Sequence, residues 1–167
     1  METSNIARNY TRISMPQFIE KSYTAQDGLN LYYRDYGKTS SAKTTILCLS
    51  GLTRNSMDFH RVAQRLSIER RVLCPDYRGR GQSDYDLNPD NYIPSTYLND
   101  LRHLLTICGV HRVIIIGTSL GGLIAMAMAL VMPSTIKGVV LNDIGPTIER
   151  HGLHRLAGTI GHTMEAA

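Results

Sequence analysis

The sequence predicts an α/β fold, a mostly parallel sheet with crossover helices and an antiparallel N-terminal edge hairpin. Three observations carry that reading. From residue 44 onward, short apolar runs rich in β-branched residues alternate with segments of helical periodicity, the pattern of strands joined by crossovers. Asp27-Gly28 separates two strand-like runs, a strong hairpin signal. Residues 113–132, VIIIGTSLGGLIAMAMALVM, pass from an apolar run through a glycine-rich turn into a long Ala/Met/Leu segment that stops at Pro133.

Taken in order, residues 1–16 read as a flexible polar arm, and residues 17–146 as the core. Within the core, 17–24 and 29–36 form the hairpin, at one edge of the sheet. Residues 44–49 (TTILCL) read as a buried parallel strand ending in Ser50-Gly51. Over 56–66, Met57, Phe59, Val62, Ala63 and Leu66 recur at helical spacing. A short strand over 71–74 ends at Pro75, and the following loop, DYRGRGQSD, is too polar to be core. Residues 86–94 are a second loop. Tyr97, Leu98, Leu101, Leu104, Leu105 and Cys108 share one side of a helix over 95–108, closed by Gly109. A strand over 112–117, a helix to Met132 and a buried strand over 136–142 complete the core. Residues 147–167 read as the start of a cap or connecting helix.

Composition narrows the function classes. With 167 residues and 43% hydrophobic content, the chain supports one domain with a sizeable core. Its charge of +4 is spread over scattered arginines with no Trp and no basic run interleaved with aromatics, so no nucleic-acid partner is expected. Cys48, Cys74 and Cys108 are odd in number and widely spaced, which suits neither a disulfide framework nor a zinc site and fits a reducing, cytoplasmic setting. The N-terminus has no apolar segment of the signal-peptide kind. Residues 113–132 are long enough and uncharged enough to suggest a membrane span, but the glycines and Ser119 interrupt the apolar run, and no membrane association is expected.

The chemistry concentrates at Gly117-Thr118-Ser119-Leu120-Gly121. In a strand–turn–helix with the serine at its apex, Ser119 takes up a strained backbone, and the residues two before and two after it, Gly117 and Gly121, must lack a β-carbon. This is the G-x-S-x-G nucleophile elbow in its specified context.

Four features in order now resemble the N-terminal part of the α/β-hydrolase fold family, serine-nucleophile branch: the edge hairpin, Ser50-Gly51-Leu52 after the third strand, PDYRGRGQSD after the fourth and GTSLGG after the fifth. The resemblance runs from about Phe18 to at least Pro146. It implies that Ser119 is the nucleophile and that the backbone N–H groups of Leu52 and Leu120 form the oxyanion hole. It implies hydrolysis of an ester, thioester, lactone or carbon–carbon bond in a small acyl or ester-type molecule through an acyl-enzyme, since relatives acting on haloalkanes or epoxides use aspartate at the elbow. It implies neither cofactor nor metal. Many family members carry His-Gly where this chain has Ser50-Gly51.

In this fold the triad runs Ser, Asp or Glu, then His, with the acid usually after the seventh strand and the histidine after the eighth. The chain stops after the sixth. Asp143, at the end of that strand, is the candidate acid, because some members take it there. His151, His154 and His162 follow Ser119, and His60, His103 and His111 read as structural. The expectation is therefore a truncated serine hydrolase with little activity alone and a sheet edge exposed to association. A non-catalytic, hydrolase-like binding domain is the alternative.

Overall fold

The structure, a computed structural model, describes residues 18–145. It contains β1 (Phe18–Thr24), β2 (Asn30–Tyr36), β3 (Thr45–Leu49), α1 (His60–Leu66), β4 (Val72–Pro75), α2 (Pro94–Ile107), β5 (Val113–Thr118), α3 (Leu120–Val131) and β6 (Ile136–Asn142). The elements expected within the described residues are present, with ends moved by a residue or two. One differs in kind: Ser56–Phe59 is a 3-10 turn leading into α1, with the Asn55 side chain accepting from the Met57 N–H. An Asn at that position satisfies an amide the helix start would leave open. The arm at 1–16 and the connecting helix at 147–167 lie outside the described residues.

The six strands lie in the order β1-β2-β4-β3-β5-β6. β1, β2 and β4 pair antiparallel, while β3 pairs parallel with β4 and β5, and β5 with β6. Strand alternation divides the core into two layers. Leu47, Leu49, Leu73, Val113 and Ile115 face α2 and α3, where Leu101, Leu104, Ile124 and Met128 meet them. Ile46, Cys48, Val72 and Cys74 face the other way, onto Phe59 and Ala63. The inner strands β3, β4 and β5 are thus apolar on both faces, the physical reason their sequences read as unbroken hydrophobic runs.

Two expectations need correction. The strand at 136–142 is not buried: Val140 is 52% exposed, and among the described residues β6 is last in the strand order, with a neighbour on one side only. The DYRGRGQSD loop, expected to be too polar for the core, is largely inside it. Asp76, Tyr77, Arg78 and Ser83 are all 5% exposed or less. Polar groups enter an interior when they are hydrogen-bonded there, and these are. Arg78 donates through Nε and Nη2 to Asp100, and through Nη1 to Asp27 and Asp86. No described helix is long and apolar enough to cross a membrane, and residues 113–132 divide between β5 and α3.

Candidate active site

The chain moves outward from β3 in opposite directions: β4 lies on one side of it and β5 on the other. Open α/β sheets bind ligands at such a switch point, at the carboxyl ends of the strands. There the structure brings together the loop after β3, the loop after β4, the turn after β5 and the end of β6.

Ser119 links β5 to α3 with φ 50° and ψ −114°. A β-carbon is strained in that region, so surrounding contacts must hold it. The Ser119 N–H donates to the Asn142 carbonyl at 3.1 Å, and the Ser119 carbonyl accepts from Gly122 and Leu123. The glycines are required by close approach. A β-carbon on Gly117 would lie 2.5 Å from the Gly121 carbonyl oxygen, and one on Gly121 would lie 2.1 Å from that of Leu49. Ser119 itself is half-buried.

The loop after β3 lies against it. Gly51 is buried, and a β-carbon placed there would touch the Ser119 β-carbon at 3.7 Å. Residues Gly51 to Arg54 make a turn closed by the Arg54 N–H on the Gly51 carbonyl, at 3.1 Å. Leu120 opens α3, so its N–H has no intrahelical acceptor. Among the described residues, neither the Leu52 nor the Leu120 N–H has an acceptor. Ser50, standing before Gly51, is buried with its hydroxyl unpartnered among the described residues.

The loop after β4 clamps this arrangement. The Asp76 carboxylate accepts from the Ser56 N–H at 2.6 Å and from the Gln82 N–H at 2.9 Å, tying the two loops together. Arg80 donates through Nε to the Leu52 carbonyl at 2.6 Å. This contact was not legible in the sequence, where Arg80 is one of many scattered arginines.

Asp143 follows β6 directly, with φ 55°, and is exposed. It is next in the chain to Asn142, whose carbonyl holds Ser119, so the structure brings it to the same end of the sheet. The histidines before Ser119 are engaged elsewhere. His60 Nδ1 meets the Tyr36 hydroxyl at 3.0 Å and His103 Nε2 the Thr24 carbonyl at 3.0 Å, while His111 precedes β5 at the opposite end. His151, His154 and His162 lie outside the described residues. No group of three His, Cys, Asp or Glu side chains suited to a metal occurs among the described residues, and all three cysteines are free.

A sharply turned residue at the carboxyl edge of a parallel sheet, flanked by two amide-bearing loops, defines an α/β-hydrolase-type site. Residues 44–165 match the alpha/beta hydrolase fold family, and the chain belongs to it. It is 34% identical over 129 residues to a 3-hydroxybutyrate-oligomer hydrolase of Cupriavidus necator, covering 77% of this chain and 44% of that protein. It is also 34% identical over 125 residues to an sn-1-specific diacylglycerol lipase of Danio rerio, covering 72% of this chain and 37% of the lipase. The crystal structure of an alpha/beta hydrolase from Novosphingobium aromaticivorans superposes with a TM-score of 0.82 at 45% identity, over 89% of this chain and 52% of that one. The chain thus spans between 37% and 52% of the length of these relatives. Hydrolase is the enzyme class that the family and its relatives support.

Proposed function

We propose that the chain carries the nucleophile and oxyanion half of a serine hydrolase acting on carboxylic esters of small molecules. The observation that carries the reading is Ser119, held at φ 50° where β5 meets α3, with the Gly51–Leu52 loop against it.

In this mechanism the Ser119 hydroxyl attacks the acyl carbon and gives its proton to a base outside the described residues. The Leu52 and Leu120 N–H groups receive the negative charge that develops on the former carbonyl oxygen, assisted by the positive end of α3. Collapse of the tetrahedral intermediate expels the alcohol and leaves an acyl-serine, which water then hydrolyses. Asp143 is the proposed acid that orients the base, on the strength of its place beside the elbow. The ester class draws support from the named substrates of two relatives, an oligomer of a hydroxy acid and a diacylglycerol, both carboxylic esters. The free cysteines support a reducing compartment, the cytoplasm, as the proposed location. The proposal extends to association through β6, the outermost strand, with its half-exposed Val140.

A fluorophosphonate probe tests the central claim. The expected result is a covalent adduct on Ser119, lost in Ser119→Ala, together with slow turnover of p-nitrophenyl acetate lost in the same variant. A folded protein whose Ser119 stays unmodified sinks the reading and favours a non-catalytic binding domain.

A further inference from the structure

We infer that Arg80 is a positioning residue for the Leu52 amide, an inference that rests on the proposed role of Ser119 and its two donors. An oxyanion donor is useful only if its N–H already points where the charge will form, before the reaction begins. The Leu52 N–H lies in the peptide plane before that residue, and rotation of that plane about the Leu52 φ is set against the plane that follows. The preceding plane, which carries the Gly51 carbonyl and the Leu52 N–H, is rigid and planar. It is held by the Arg54 N–H on the Gly51 carbonyl at 3.1 Å. The following plane carries the Leu52 carbonyl. It is the central peptide of the turn, whose flip interconverts the common turn types by swinging the ψ of the preceding residue through about 150°. Arg80 Nε, at 2.6 Å, holds that carbonyl. With both planes pinned, the N–H of Leu52 is fixed in direction.

Arg80 is itself rigidly mounted. Its N–H donates to the Tyr77 carbonyl at 3.0 Å, its carbonyl accepts from Ser83 at 2.9 Å, and its Nη1 donates to the Gly79 carbonyl at 2.9 Å. Gly79 and Gly81, on either side, have positive φ, and a β-carbon on Gly81 would strike the Asp76 carboxylate. The guanidinium is half-buried, where a charge-assisted bond to a carbonyl is stronger than a neutral one. Asp76 fastens the other end of the same loop through Ser56. Removing Arg80 therefore frees one peptide and leaves the rest of the clamp in place.

The test measures fluorophosphonate labelling of Ser119 in the full chain against probe concentration, together with the amide resonance of Leu52. In Arg80→Ala the maximal labelling rate is expected to fall about tenfold to a hundredfold, below the loss from deleting a donor outright. The half-saturating probe concentration should change less than about twofold, because the interaction acts in the transition state. Arg80→Lys, which retains a cationic donor, should recover part of the rate, and the Leu52 amide shift should move in Arg80→Ala. Labelling at the wild-type rate in folded Arg80→Ala, or an unmoved Leu52 resonance, overturns the inference while leaving Ser119 as nucleophile. Absence of labelling in the wild type overturns the nucleophile and the catalytic use of Arg80 together, and a shifted Leu52 resonance in that case confines Arg80 to holding the loop.

Discussion

At Gly121 the distance between a working elbow and a broken one is a single methyl group. A β-carbon there would lie 2.1 Å from the Leu49 carbonyl oxygen, which belongs to the central strand and cannot move aside. Overpacking of this kind costs about 1–3 kcal/mol and more when backbone must shift. Gly121→Ala is therefore expected to lower the urea midpoint strongly or to abolish folding. Gly138, on β6, is the contrast: nothing lies within 4 Å of its notional β-carbon and its φ is not positive. Gly138→Ala should be neutral or stabilising by up to about 1 kcal/mol, through the lower entropy of the unfolded chain. Urea melts of both variants check the pair, and equal effects would contradict the close-approach argument.

At the scale of elements, two buried arginines lock loops to strands. Arg78, 1% exposed, joins the loop after β4 to α2 through Asp100 and to the β1–β2 turn through Asp27. Truncating one partner of a buried ion pair leaves the other uncompensated and costs about 3–5 kcal/mol. Arg78→Ala is expected to destabilise by that order, measured by thermal or urea unfolding. Arg71 and Lys21 grip Asp35 on β2. Burial alone would raise the Asp35 carboxyl, but hydrogen bonds and positive charge from Arg71 and Lys21 outweigh it and hold it below its ordinary value. A carboxyl lowered in the folded state adds stability that is present above its unfolded value, about 3.9, and is lost as pH falls through the folded one. Asp100 carries the opposite sign. Its burial, with Asp27 and Asp86 nearby, outweighs the lowering by Arg78 and raises it, so its contribution falls as pH rises through the acid range. Stability measured from about pH 5 down to pH 2 should therefore fall less steeply in Asp35→Asn than in the wild type, from a lower plateau. An unchanged slope would show that Asp35 carries no such linkage.

At the scale of the whole molecule, β6 carries a prediction about behaviour in solution. It is the outermost parallel strand, with Val139 and Val140 both exposed by a third or more. Apolar outer strands invite pairing, and natural proteins blunt them with charge, lysine above all. Self-association rising with concentration is expected, with Val140→Lys weakening it and altering the melting temperature little. Light scattering across a concentration series decides the matter, and equal scattering from both proteins would place any association elsewhere.

Much of this architecture is written locally. Apolar runs marked β3, β5 and β6, the Asp27-Gly28 turn marked the hairpin, and the spacing of Tyr97, Leu101, Leu104 and Leu105 marked α2, since each signal depends on neighbours a few residues away. The turn at Ser119 was legible for the same reason: its glycines, strand and helix are contiguous in the chain, and only their close approach makes that spacing necessary. What the tertiary structure decided depends on groups far apart in sequence. The polar loop after β4 is buried because Asp27, Asp86 and Asp100 converge on Arg78. The valines of β6 are exposed where that strand falls last in the sheet order of the described residues. Arg80 reaches Leu52 across 28 positions of chain, and no local pattern encodes that a scattered arginine will find a particular carbonyl.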